Sequence, residues 1–213
     1  MPGHLVKIVC LDLEGVLAPE IWIEFASHAG IEALKRTTRD EPDYDVLMRY
    51  RLEILDRAGL RLPDIQRVID RMGPLPGARE FVDGLRERFQ VVILSDTFYE
   101  FAQPLMRQLG FPTLMCHRLL ADASGRVVGY RLRMKDQKRA AVEAFRGLNF
   151  RTLAAGDSYN DTAMLGAADA GIFFRPPPQI AAKFPQFPVT QDYAELAAAL
   201  HAAARRIDEA ASG

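Results

Sequence analysis

An α/β fold, with a doubly wound and mainly parallel sheet, helices on both faces and a small helical cap inserted after the first strand, is predicted by three features of the chain. Four short apolar runs bounded by turn or polar residues, Val6 to Leu11, Val91 to Leu94, Thr152 to Ala155 and Gly171 to Phe174, read as buried strands. Stretches of helical periodicity separate them, the alternation expected of parallel strands joined by helices. One stretch, from about Ala18 to Met72, holds no strand candidate and is long enough to be a helical insert. The predicted division is a core of residues 1–17 and 74–213 and a cap of residues 18–73.

Within the insert, Pro19 is placed to open a helix in which Ile21, Trp22, Phe25 and Ala29 recur at helical spacing. Leu47, Tyr50, Ile54, Leu55 and Ala58 make a second stripe, and Ile65, Val68, Ile69 and Met72 a third. Gly73-Pro74 and Pro76-Gly77 mark the return to the core. Leu119 to Leu132, with Ser124-Gly125 between two strand-like arms, reads as a β-hairpin inserted in the α/β body. Pro176-Pro177-Pro178 reads as a rigid loop, and the alanine-rich Asp192 to Ala211 as a terminal helix.

The chain has 213 residues, 49% hydrophobic and 26% charged, so it can bury a sizeable core. With 27 basic and 28 acidic side chains and a formal net charge of -1, it has no electrostatic reason to bind nucleic acid or an anionic membrane. A small-molecule partner is expected. Cys10 and Cys116 lack metal-ligand spacing and sit in apolar surroundings, so they read as reduced core residues. Met1 to His4 carries no leader pattern and no apolar run approaches a membrane span, so the expected location is the cytoplasm.

The chemistry gathers where strands end. Asp12 closes the first run, and Glu14 follows two places later before a glycine. In an extended segment both would face one reacting centre, one attacking while the other handles a proton. Gly156-Asp157-Ser158-Tyr159-Asn160-Asp161 follows a second run. Asp12 and Asp157 together suit magnesium, which takes few carboxylates, retained waters and substrate phosphate oxygens. Ser95-Asp96-Thr97 follows a third run; its hydroxyl and amides suit an anion such as phosphate, although by itself the segment reads first as an ordinary helix N-cap. Lys135 and Lys138 compete as the cation that neutralises a phosphoryl group. Arg51, inside an apolar stripe, needs an anionic partner, either a neighbouring carboxylate or a ligand.

Taken in order, D-L-E-G-V-L, I-L-S-D-T-F-Y-E-F, a lysine and A-A-G-D-S-Y-N-D-T resemble the four motifs of the haloacid dehalogenase superfamily of phosphohydrolases. Within it they are most similar to the phosphoserine phosphatase branch and its bifunctional members that also transfer phosphate to homoserine. The match spans most of the chain, the helical insert included. The resemblance implies an Mg2+-dependent phosphatase in which Asp12 is the nucleophile and Glu14 protonates the departing seryl oxygen, then deprotonates the incoming water or homoserine. Asp12, Asp157 and the main-chain carbonyl of Glu14 would hold the metal, with Asp161 orienting its waters. Ser95, the amide of Asp96 and Lys138, whose following apolar spacing matches the family helix, would hold the phosphoryl oxygens, with Asn160 reaching substrate or phosphate. Arg51 matches the residue that clamps a substrate carboxylate, and Glu20 the one that meets the α-ammonium. The implied partners are phosphoserine and homoserine; the expectation leaves room for a homodimer.

Glu14 and Val16 stand where the superfamily has aspartate and threonine, which leaves the balance of hydrolysis and transfer open. Dehalogenases and phosphonate hydrolases of the superfamily lack a carboxylate at the place of Glu14. A silent binding module would lose the nucleophile or metal ligands, whereas Asp12, Lys138 and Asp157 are all present.

Overall fold

The computed structural model describes residues 6–37, 40–41 and 43–212; Met1 to His4, read above as carrying no leader, lie outside them. Among the described residues, seven strands form one sheet: β1 Lys7–Leu11, β2 Gln90–Phe98, β3 Thr113–Ala121, β4 Val127–Arg131, β5 Arg151–Gly156, β6 Ala170–Phe174 and β7 Val189–Thr190, in the order β4-β3-β2-β1-β5-β6-β7. All neighbouring pairs are parallel except β3 with β4. The helices are α1 Ile21–Ala29, α2 Tyr44–Arg57, α3 Leu62–Met72, α4 Ala78–Arg86, α5 Tyr99–Gln108, α6 Gln137–Gly147, α7 Thr162–Ala167, α8 Pro178–Lys183 and α9 Tyr193–Ser212.

β1 lies at the centre, paired on one side with β2 and on the other with β5. Its alternate side chains serve two cores: Val9 and Leu11 pack with residues of α4 and α9, Ile8 and Cys10 with residues of α6 and α7. That double burial is why the strand reads as an unbroken apolar run. Both cysteines are free and buried, and burial pushes the Cys10 thiol up to about 12. The connections run outward from β1 to β2 and β3, then return to the far side at β5, so the direction of winding reverses between β1 and β5. Ligands of open α/β sheets bind outside the carboxyl ends of the strands at such a reversal.

Between β1 and α4 the regular elements are all helical, namely α1, a 3-10 turn at Glu32–Lys35, α2 and α3, and no strand of the sheet intervenes among the described residues. Leu75 N–H donates to Leu17 O (2.9 Å), so the chain leaves and re-enters the sheet domain side by side. Pro19 stands ahead of α1 rather than in it; Glu20 is the N-cap residue, without a side-chain cap bond. Pro178 opens α8 instead of extending a loop.

The hairpin differs from its sequence reading. β3 starts at Thr113 and its first half pairs in parallel with β2, while its second half pairs antiparallel with β4. The expected insertion is therefore the outer edge of the sheet itself. Its tip turns at Gly125 (φ 79°), whose carbonyl accepts from Leu62 N–H at 2.8 Å, and Arg126 forks onto Asp56 at 2.7 and 2.8 Å. The hairpin is thus fastened along α2 and α3. No helix among the described residues is long and apolar enough to cross a membrane.

Candidate active site

Asp12 is the first residue past β1, and its N–H still donates to Ala155 O of β5 (3.0 Å), so the ladder fixes its backbone at the reversal point. The carboxylate is buried; Oδ1 accepts from Leu13 N–H (2.7 Å) and lies 2.9 Å from Lys138 Nζ. Lys138, in the first turn of α6, also donates to Asp161 Oδ1 (2.8 Å) and stands 3.8 Å from Asp96 Oδ2. Lys135, the competing lysine, is exposed and outside the cluster.

Asp161 is fully buried. Its Oδ2 accepts from Asp157 N–H (3.0 Å), Ser158 N–H (3.1 Å) and the Ser158 hydroxyl (3.1 Å), so one carboxylate ties the G-D-S-Y-N-D turn to Lys138. Two glycines make the convergence possible. A Cβ on Gly15, where φ is 80°, would lie 2.4 Å from the Asp157 carboxyl carbon, and one on Gly156 would lie 2.4 Å from that of Asp161. Carboxylate oxygens of Asp12, Asp157 and Asp161 consequently lie within 4.8 Å of one another.

Such a concentration of acid against one lysine shifts the groups' pKa values. Burial raises Asp12 well above the usual carboxylate range, with Asp161 adding and Lys138 opposing. Burial, then Asp161, pushes Asp157 up to about 7. Burial alone would lower Lys138, but Asp12 and Asp161 outweigh it and hold the ammonium charged. An all-oxygen, acid-rich group of this kind fits a hard divalent cation.

Glu14 departs from the extended geometry expected of D-x-E. The chain turns at Gly15, and Glu14 Oε1 accepts from Ile21 N–H (2.8 Å), supplying the acceptor at the start of α1 that Glu20 does not. Burial, then Glu20, pushes its carboxyl up to about 7, with Lys138 and Arg51 opposing, so its charge is felt by both. Glu20 itself is exposed at the rim. Val16 is buried and offers no hydroxyl; its carbonyl accepts from the Tyr193 hydroxyl (2.6 Å).

The Ser95-Asp96-Thr97 segment is not a helix cap. β2 continues through Phe98, and α5 begins at Tyr99 without a side-chain cap. Against β3 the register passes from Leu94↔Met115 to Phe98↔His117, so four residues on β2 face two on β3 and the segment bulges at the sheet's carboxyl edge. Ser95 is buried, and its hydroxyl accepts from Thr97 N–H (3.2 Å). Gln137, buried beside Lys138, donates to Ser95 O and to Asp96 Oδ1 (3.2 Å), and His117 Nε2 lies 3.7 Å from Asp96 Oδ1. Neither Gln137 nor His117 is flagged by the sequence; a polar residue next to the lysine was the one available signal. Asn160 is exposed on the 3-10 turn Tyr159–Asp161 and is not drawn into the buried cluster.

Arg51 lies on the buried face of α2 with Leu47, Met48 and Leu55. Among the described residues no carboxylate pairs with it. Its guanidinium stacks 4.4 Å over the Trp22 ring and donates through Nη2 to Arg36 O (2.7 Å), while Nε is buried without a hydrogen-bond partner among the described residues. Burial lowers its pKa to about 10, with Tyr44, Glu14 and Glu20 opposing, and it stays charged at neutral pH.

These features sit in a family context. The model of the haloacid dehalogenase-like hydrolases matches residues 6–169. A phosphoserine phosphatase of Pseudomonas syringae pv. tomato is 67% identical over 191 residues, covering 90% of this chain and 81% of that protein. Phosphoserine phosphatase ThrH of Pseudomonas aeruginosa is 66% identical, covering 90% and 93%. The structure of a phospho-aspartyl intermediate analogue of phosphoserine phosphatase shares the fold at a TM-score of 0.74 and 21% identity, covering 92% of this chain and 99% of that one. The reversal-point aspartate, the clustered acids and the buried lysine thus stand within a match spanning most of the sheet domain and the helical insert: this chain belongs to the haloacid dehalogenase-like hydrolases.

Proposed function

We propose that the protein is a phosphoserine phosphatase acting through an aspartyl phosphate on Asp12, and that homoserine competes with water for the phosphoryl group. The observation that carries this reading is the pairing of two sites: Asp12, Lys138 and the clustered acids at the sheet's edge, and the buried, part-unpartnered Arg51 on α2. The names of the two Pseudomonas relatives support the substrate. Residues 18–73 act as the cap and residues 1–17 and 74–213 as the core.

Asp12 attacks phosphorus in line, the bond to the seryl oxygen breaks, and Glu14 gives that oxygen its proton, releasing serine. Water or the homoserine hydroxyl then attacks the aspartyl phosphate while Glu14 takes its proton, which regenerates Asp12 and yields phosphate or phosphohomoserine. A carboxyl pushed up to about 7 suits both transfers at neutral pH. Lys138, Ser95 and the Asp96 amide neutralise the phosphoryl oxygens. Asp12, Asp157 and the Glu14 main-chain carbonyl would hold magnesium, which supplies charge neutralisation on the phosphate; Asp161 fixes the turn carrying Asp157. Glu20 receives the α-ammonium at the rim, where Asn160 reaches the entering substrate. Val16 leaves the hydrolytic water without a hydroxyl partner at that place, which favours an alcohol acceptor.

Two outcomes test this. Arg51→Ala is expected to lower kcat/KM on phosphoserine about 100-fold, with a much smaller loss on p-nitrophenyl phosphate; equal losses on the two esters would sink the carboxylate clamp. The raised Asp157 pKa gives a pH dependence. The metal-free fold keeps a proton that the unfolded chain releases, so its stability falls as pH rises from the ordinary aspartate range through about 7. Magnesium removes that penalty by binding the ionised form. The rise in melting temperature on adding magnesium is therefore expected to be larger at pH 8 than at pH 6; an equal rise at both would contradict Asp157 as a ligand.

A further inference from the structure

Tyr44 opens α2 two turns before Arg51, so both project from one face of that helix. Its ring is half-buried and stands edge-on to Tyr130 of β4, with centroids 5.7 Å apart; Tyr130 in turn meets Phe98 at 6.2 Å. Phe98 contacts Phe101, and Phe101 contacts Trp22, on which the Arg51 guanidinium rests. A continuous chain of aromatic contacts contributed by α2, β4, β2, α5 and α1 therefore links Tyr44 to the guanidinium of Arg51. The Tyr130 hydroxyl is spoken for by Asp45. That of Tyr44 makes no hydrogen bond to any described residue, although burial holds it strongly in the neutral, donating form and Arg51, Asp96 and Glu14 all act on it.

Two donors without an acceptor among the described residues, the buried Arg51 Nε–H and the O–H of half-buried Tyr44, thus belong to side chains on one face of α2. Buried donors are ordinarily satisfied, and the chemistry that satisfies a cationic and a neutral donor together is an acceptor-only anion with two oxygens. In the reading above the phosphoryl group is met by Lys138 and Ser95, which leaves these two donors for another anionic group. Resting on the phosphoserine reading above, we propose that Tyr44 is a specificity-determining residue whose hydroxyl donates to the substrate α-carboxylate beside Arg51. The site then recognises an α-amino acid ester by a paired contact, with Tyr130 and Phe98 fixing the ring that delivers it.

The test compares phosphoserine with phosphoethanolamine, which has the same phosphate ester and ammonium but no carboxylate, in wild type and Tyr44→Phe. The variant keeps the ring and removes one hydrogen bond to a charged group, so the phosphoserine-to-phosphoethanolamine ratio of kcat/KM is expected to fall about tenfold, through KM rather than kcat. A ratio unchanged from wild type would overturn the Tyr44 contact while leaving the substrate reading intact. Wild type that shows no preference for phosphoserine over phosphoethanolamine would overturn both.

Discussion

Asp12→Asn is expected to abolish phosphate release from every ester the protein uses, with kcat down by roughly 10^4-fold or more. The amide is nearly isosteric but cannot form the phosphoryl bond. The substitution also removes a carboxyl that burial and Asp161 already hold well above its usual pKa, next to two further acids. Neutralising it relieves like-charge repulsion, so the melting temperature of the metal-free protein should stay level or rise. Lost activity with retained stability separates chemistry from folding. More than about one per cent residual turnover, a far smaller loss than covalent catalysis requires, would mean that Asp12 is not the nucleophile.

Lys138→Ala is expected to be the most damaging change to the site as a whole, because it strikes stability and chemistry together. The ammonium is buried, lies 2.9 Å from Asp12 and bonds Asp161 at 2.8 Å, so its removal leaves two buried acids without their cation. Breaking a buried pair from one side costs about 3–5 kcal/mol, partly offset here because Asp12 can take up a proton. The rate should fall by about 10^2 to 10^3 through loss of charge stabilisation on the phosphoryl oxygens. Denaturant unfolding at pH 7 and steady-state kinetics check both. A variant of wild-type stability and near-wild-type rate would show that Lys138 is a spectator.

Much of the sheet was legible because each core strand is buried on both faces and so reads as a short apolar run, as β1, β2, β5 and β6 do. β3 is legible only in part: Thr113 to Arg118 shows no alternation of buried and exposed positions, and its switch from parallel to antiparallel pairing is set by partners distant in sequence. The acidic motifs were legible because carboxylates at strand ends are chemically conspicuous. Their arrangement was not. The Gly15 turn aims Glu14 at α1, and Asp161 is enclosed by the amides of its own turn, both consequences of local backbone geometry. The partners of Arg51, an aromatic face and a main-chain carbonyl, are invisible to a reading that looks for opposite charge. Gln137 and His117 carry no pattern of their own and acquire significance only where the bulge in β2 meets α6.

The most direct measurement is a phosphate balance on the purified protein with magnesium and phosphoserine, with and without homoserine, following serine, free phosphate and phosphohomoserine together. A shared aspartyl phosphate predicts serine and phosphate in equal amounts without homoserine, and diversion of part of the phosphate into phosphohomoserine when it is added. Phosphate release indifferent to homoserine would contradict the second acceptor, and no serine release from phosphoserine would contradict the proposed substrate.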